Sequence, residues 1–369
     1  MHKSKLLIVG SFPSSDKKIY GGIAKSCKIL LESETFLKYE IDTIDSSQTN
    51  PAPIIIIRII SAFKRIVNLF YKLTFTKPKL IIIFCSDGAS AVEKGLMILI
   101  SKLYNIPSLI FPRAGNLINQ VNNSKLFLNI IKFMFKRADI FLCQGNSWAN
   151  FAEKKLRLDN EKIKIIDNWT ATDDLIQIGE KREINSNKGT IKILFVGWLE
   201  KEKGVEELLI SLNNLNKTNI NFKMIFIGNG SMMNYCRLFI HKNNLSELVE
   251  LKGWLNPEEI INYYTTSDLF VLPSWQEGMP NSIIEALSCG LPIITTSVGV
   301  IPDYLTNNTN ALIVKPKSIK DLEIAIQRAI SDIYLRKKLS KNGFLVAKSL
   351  FLSKTSLEKF SILINNTIN

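Results

Sequence analysis

The sequence predicts an α/β protein built of two Rossmann-like domains facing each other across a cleft. Three observations carry that prediction. At 369 residues the chain is too long for one ordinary hydrophobic core and about right for two such domains. Short runs rich in Ile, Val, Leu and Phe alternate with longer stretches of helical periodicity. The short runs, such as Leu-Ile-Ile-Ile-Phe-Cys at 80–85, read as buried strands, the pattern of parallel sheets covered by helices on both faces.

Taken in order, strands are expected at 6–10, 80–85, 108–111, 140–143 and 163–166, then at 191–196, 223–227, 269–272, 292–296 and 311–314. Amphipathic stretches at 205–213, 232–242, 257–265 and 319–330 supply helices between the later strands. The polar segment 173–190 divides the two series. It sets a first domain at 1–172, completed by a C-terminal helix over 350–369, and a second at 173–349.

Composition removes several function classes. A hydrophobic fraction of 46% with 22% charged residues is that of a folded globular chain. The first apolar run, 6–10, is too short for a signal peptide, and the run 54–60 is broken by Arg58. A cytoplasmic protein, soluble or peripheral to the membrane, is expected. The five cysteines are scattered without a Cys-x-x-Cys pair, which argues against disulfides and zinc. His2 and His241 are the only histidines, too few for a catalytic triad or a histidine-rich metal site. With no Asp-x-Asp present, chemistry without metal or cofactor is expected.

The net charge of +14 implies an anionic partner. Residues 46–86 and 94–138 contain no acid at all. No recognised nucleic-acid motif accompanies the charge, so no nucleic-acid partner is expected. Two segments, 59–72 and 126–137, combine large apolar residues with lysine and arginine, the composition of helices lying on anionic membranes. A core helix with a solvated basic face has the same composition.

The segment 272–287 is the richest in chemistry. A strand ends near Leu272, a loop with Glu277, Gly278, Met279 and Pro280 follows, and a helix starts near Asn281 or Ser282. Such a turn aims backbone N–H groups and the positive end of a helix dipole at one point, where a diphosphate fits. Glu277 in the loop and Glu285 on the helix can hold hydroxyls on two parts of one extended ligand. Ser282-x-x-Glu285 also fits a capping box, which would make Glu285 a helix starter only. In the segment 194–205, Gly197 ends a strand and Lys203 precedes Gly204 at a helix start. A lysine there can neutralise a departing phosphate. Gly21-Gly22, Gly228-x-Gly230 and Gly253-Trp254 are weaker signals, each readable as an approach to a ligand or as a turn or core position.

These pieces together resemble glycosyltransferase family 4, the retaining GT-B enzymes of the glycosyl transferases group 1 type. The resemblance rests on Glu277-Gly-Met-Pro-Asn-Ser-Ile-Ile-Glu285, Phe195-Val-Gly-Trp-Leu-Glu-Lys-Glu-Lys203-Gly, Gly228-Asn-Gly230 and Gly21-Gly22. It is strong over 191–314 and patchy before residue 170. It implies that Glu277 contacts the donor sugar, Glu285 the ribose and Lys203 the β-phosphate. Gly278, Met279 and Pro280 would shape the sugar pocket, with Asn281 and Ser282 at the diphosphate. Trp198 stands where the family usually has arginine, and the histidine that many relatives carry near the reacting sugar has no counterpart in the comparable loop, Phe111-Pro-Arg-Ala-Gly-Asn116, where Arg113 is the electrostatic substitute. The implied partners are a nucleotide-sugar donor, with UDP-sugar favoured, and a glycan or lipid-linked acceptor at the inner face of the cytoplasmic membrane. The implied pathway is cell-surface polysaccharide or lipopolysaccharide assembly. An inactive GT-B relative and a GT-B sugar-nucleotide epimerase remain open as alternatives, the histidine poverty counting against the epimerase.

Overall fold

The computed structural model describes residues 3–12, 21–47, 53–184, 189–218 and 220–368. Residues 13–20, which lead to the Gly21-Gly22 pair, and the polar run 185–188 lie outside the described residues. The chain divides into two units, Met1–Thr170 with Ser353–Asn369, and Ala171–Leu352.

Unit 1 runs β1 (Lys5–Gly10), α1 (Gly22–Glu32), β2 (Glu40–Asp45), α2 (Ile55–Phe75), β3 (Leu80–Cys85), α3 (Gly88–Leu103), β4 (Ser108–Pro112), α4 (Asn116–Asn123), α5 (Lys125–Phe135), β5 (Ile140–Cys143), α6 (Asn146–Phe151) and β6 (Ile163–Ile165). Its sheet is parallel, in the order β2-β1-β3-β4-β5-β6. All six residues of β3 are buried, as covering on both faces requires. Edge strand β2 instead reads Glu-Ile-Asp-Thr-Ile-Asp with a single buried residue, Ile44. One face of the sheet is roofed by α1 and by residues near the end of the chain: Leu30, Leu357, Phe360 and Ile364 join Leu6, Ile8, Leu80 and Ile82 in one core.

Unit 2 runs α7 (Asp173–Glu180), β7 (Ile191–Val196), α8 (Val205–Asn216), β8 (Phe222–Ile227), α9 (Met233–Lys242), β9 (Val249–Gly253), α10 (Pro257–Thr266), β10 (Leu269–Leu272), α11 (Asn281–Ser288), β11 (Ile293–Thr296), α12 (Ile301–Tyr304), β12 (Leu312–Val314), α13 (Ile319–Ser331) and α14 (Ile333–Leu350). The helix α15 (Ser353–Ile368) returns to unit 1. The second sheet is also parallel, ordered β12-β11-β10-β7-β8-β9. The α/β class with two Rossmann-like sheets is therefore as the sequence predicts.

The strand orders locate the sites. In unit 1 the chain moves from β1 to β2 and then crosses to β3 on the other side of β1. In unit 2 it runs β7, β8, β9 and then returns to β10 beside β7. Ligands of open α/β sheets bind outside the carboxyl ends of the strands at such a reversal. Among the described residues, no helix is long and apolar enough to cross a membrane.

Candidate functional site

The carboxyl ends of β7 and β10 flank the reversal in unit 2, and the chain leaves them at Gly197 and Pro273. The neighbouring strand ends are tied together through glycines. Gly197 N–H donates to the Ile227 carbonyl at 3.0 Å, and Gly228 N–H to the Gly253 carbonyl at 2.8 Å. Gly228 has φ +135, and a Cβ there would lie 1.8 Å from the Gly197 carbonyl oxygen. Only glycine allows that approach. Gly230 is equally confined, 2.4 Å from the Leu199 carbonyl oxygen by the same measure. Glu200 holds this turn by accepting from the Ser231 N–H at 3.0 Å.

Lys203 sits in a 3-10 turn, Lys201–Lys203, that opens α8 through Gly204. Gly204 has φ +70, and a Cβ there would lie 2.2 Å from the Pro273 carbonyl oxygen. The Lys203 turn is thereby pressed against the loop after β10. Trp275 completes the seam: its N–H donates to the Glu202 carbonyl at 2.7 Å and its indole N–H to Glu207 at 3.1 Å. The outcome is a direct ion pair, Lys203 Nζ to Glu277 Oε1, at 2.5 Å. Ser274, fully buried, donates its hydroxyl to the same carboxylate oxygen at 2.7 Å.

The loop then delivers Gly278, buried Met279 and Pro280 to the start of α11 at Asn281 and Ser282. Pro280 occupies the N-cap position and no side chain caps the helix, which leaves the positive end of its dipole unanswered by a capping oxygen. The capping box suggested by Ser282 and Glu285 does not form. Glu285 is only 6% exposed and accepts from the Tyr264 hydroxyl at 3.0 Å. Burial, with the Glu285 charge beside it, raises the Tyr264 pKa well above the ordinary phenol, so Tyr264 stays a donor. A true capping box forms elsewhere, at Asn256 and Glu259.

Lys203, Glu277 and the α11 entry thus share one neighbourhood, with the glycines of β7 and β8 beside it. Trp254 follows β9 and packs edge-on against Trp198, ring centroids 4.6 Å apart. Trp198, just past the end of β7, is thus one half of an aromatic pair. Sequence reasoning assigned no role to Ser274 and Glu200, though both lie inside the two segments it singled out, and it missed Tyr264, which reaches Glu285 from α10. A cavity of about 480 Å³ elsewhere on unit 2, lined by Arg182, Lys337, Ser340 and Phe344 among others, includes none of the predicted site residues. Among the described residues, no group of three or more His, Cys, Asp or Glu could hold a metal ion.

The remaining candidates belong to unit 1. Gly21 precedes α1 and Gly22 begins it. Arg113 follows β4, donates to the Ser26 hydroxyl at 2.9 Å and lies over the rings of Phe111 (4.9 Å) and Trp169 (5.5 Å). Burial lowers its pKa to about 10, which leaves it charged at neutral pH.

Comparison with known proteins agrees with this architecture. Residues 177–346 match the family model described as glycosyl transferases group 1. An uncharacterised glycosyltransferase of Methanocaldococcus jannaschii is 29% identical, over 79% of this chain and 80% of that one. The Escherichia coli UDP-Gal:alpha-D-GlcNAc-diphosphoundecaprenol alpha-1,3-galactosyltransferase is 27% identical over 58% of each chain. Among solved structures, sucrose-phosphate synthase from Thermosynechococcus elongatus superposes with a TM-score of 0.80 at 16% identity, covering 99% of each chain. Anabaena HepE, solved with UDP-glucose, gives 0.72 at 16% identity, covering 98% of this chain and 99% of that one. Residues 177–346 thus carry the sequence of the group 1 glycosyltransferase family, and the fold is the GT-B fold of the solved neighbours.

Proposed function

We infer that this chain is a retaining, metal-independent transferase. It moves a sugar from UDP-sugar to a lipid-linked glycan acceptor at the inner face of the cytoplasmic membrane, in cell-surface polysaccharide or lipopolysaccharide assembly. The observation that carries the reading is the Lys203–Glu277 pair at the β7/β10 reversal, next to the entry of α11. A cation and a helix N-terminus match a diphosphate, and a carboxylate matches sugar hydroxyls. Lys203 takes the β-phosphate, Glu277 the donor sugar and Glu285 the ribose, while Trp254 borders the base. Unit 1 holds the acceptor, with Gly21, Gly22 and Arg113 on its side.

The chemistry asks little of the protein beyond charge stabilisation. The bond from the anomeric carbon to the diphosphate oxygen breaks, and the electron pair leaves with the diphosphate. A bond forms from the acceptor hydroxyl on the same face, and its proton passes to the departing phosphate. Lys203 and the α11 terminus oppose the negative charge as it grows on the leaving group. Support for uridine comes from HepE, solved with UDP-glucose, and from the E. coli relative, whose name specifies a UDP-Gal donor. That name also specifies a diphosphoundecaprenol-linked acceptor, which supports the lipid-linked reading.

A thermal-shift panel of UDP, GDP, ADP and CMP, each with and without magnesium, tests the donor assignment. A ligand that binds only the folded protein raises its stability, by roughly 2.7 kcal/mol at a hundredfold excess over Kd. UDP is expected to act alone, without need of magnesium, and to lose its effect in Glu285→Ala. Silence from all four nucleotides would favour an inactive, binding-only relative.

A further inference from the structure

The most unusual surface of the described protein is the first half of α2. Ile54 at its N-cap and Ile55, Ile56, Ile57, Ile59, Ile60 and Phe63 on its first turns are each between 49% and 68% exposed. Spaced at 100° per residue, the isoleucines of 54–60 surround almost the whole helix, and only Arg58 interrupts them. A helix that is apolar all round belongs in a protein core or a membrane. This one is packed by neither end alike: its buried residues, Leu69 and Leu73, both lie in the second half. That half is also pinned by charge. Arg65 makes a paired bond to Glu93 of α3 at 2.6 and 3.0 Å, and Lys72 reaches Asp42 of β2 at 2.5 Å. The first half extends beyond these anchors.

The surroundings say what covers it. α3 packs against both α2 and α5, and α5 against the π-helical turn Ala152–Leu156, so these elements form one layer on unit 1. Exposed apolar residues continue along that layer at Leu103 and Leu126. The same layer carries exposed cations at Lys64, Lys125, Lys136, Lys154, Lys155 and Arg157, with the exposed Glu153 beside the last three. Residues 46–86 and 94–138 hold Lys64, Lys125 and Lys136 without a single acid, so a second copy docked through α2 and α5 would set cation against cation. A bilayer with anionic headgroups answers both features at once.

We propose that residues 54–63, the N-terminal turns of α2, enter the apolar layer of an anionic membrane while the α5 and π-turn cations engage its headgroups. The inserted length is about 15 Å, half the thickness of a bilayer's hydrocarbon core, so the element anchors without spanning. The inference deepens the membrane placement given above, and its purpose rests on that reading: it would hold unit 1 against a lipid-linked acceptor.

Flotation of the full chain with vesicles of phosphatidylcholine, with and without phosphatidylglycerol, tests it. Binding is expected to the anionic vesicles. Ile56→Asp with Ile60→Asp should weaken it about a hundredfold or more. Lys154→Gln with Lys155→Gln should weaken it about fivefold per charge and leave insertion possible. All five native cysteines are buried, so Ile56→Cys adds one accessible thiol. An environment-sensitive fluorophore on it should shift to the blue on anionic vesicles. UDP stabilisation should survive in every variant; its absence in the parent would count against the donor reading and leave this one standing. Equal flotation of the aspartate variant and the parent would overturn the proposal. So would a parent that ignores vesicles, whether it stays monomeric or forms a dimer that the aspartates dissolve, the latter marking a copy-to-copy interface.

Discussion

Units 1 and 2 each carry a six-stranded parallel sheet with one reversal of strand order, yet they place their buried charges in opposite ways. In unit 2 the charges converge on the reversal: Lys203 with Glu277, and Glu285 with Tyr264. In unit 1 the Arg65–Glu93–Lys94 cluster lies on the flank, where α2 meets α3. Arg113 is enclosed by aromatic rings. The contrast teaches that a buried ion pair is not in itself a mark of function. What separates the two is location: one sits where the sheet leaves backbone and loops open to a ligand, the other between two packed helices. The scaffold is shared and the chemistry belongs to the loops.

The largest test of that contrast is in unit 2. Glu277→Gln and Lys203→Ala should each lower the sugar-transfer rate of the folded protein by roughly 10²–10³-fold, more than the stability lost with their ion pair accounts for. Retained turnover in either would break the comparison. Next comes Glu93→Gln in unit 1, which leaves two cations without their partner. It should cost about 3 kcal/mol in the local stability read by hydrogen exchange over β3 and α3, with UDP binding unchanged. The sign with pH follows from Glu93 itself. Burial pushes its pKa up, but the bonds and charges of Arg65 and Lys94 outweigh that and hold it below the ordinary carboxylate value. Its contribution is therefore full above the ordinary carboxylate range and is lost as pH falls through the lowered native value. The gap between parent and variant should close in acid. The smallest effect is expected from Tyr264→Phe, which removes one hydrogen bond to Glu285. About 1 kcal/mol, or some fivefold in UDP affinity by titration, is the expected loss.

How much was legible in the sequence depended on whether the signal was local. Central strands such as β3 and β7 announce themselves because a strand buried on both faces must be apolar along its length. The edge strands β2 and β9 were missed, since Glu-Ile-Asp-Thr-Ile-Asp and Val-Glu-Leu-Lys-Gly carry charge that a solvated edge tolerates. The segment read as a polar divider contains α7, whose Leu175 and Ile176 are buried. At the site, Glu277 and Glu285 were visible because eight residues of spacing hold them in one turn and helix. Tyr264 was not, because it meets Glu285 from another helix, and Ser274, only three residues before Glu277, went unseen because serine in a loop carries no signal until the turn brings its hydroxyl to the carboxylate. The 59–72 segment shows a subtler limit. Its composition signals a basic, apolar helix, but which side is covered depends on neighbours that periodicity does not name.

The last helix has a consequence for the order in which the molecule can be finished. Phe360 of α15 stacks on Trp169 at 5.6 Å, and Tyr39 donates to Asn365 at 2.8 Å. Leu357 and Ile364 close the face of the sheet formed by β1 and β3. Unit 2 is one continuous segment, so on the ribosome it has all its own parts before α15 emerges. Domains made first usually fold first. Here the unit that begins the chain must wait, one side of its sheet unroofed, until the unit inserted within it has been made.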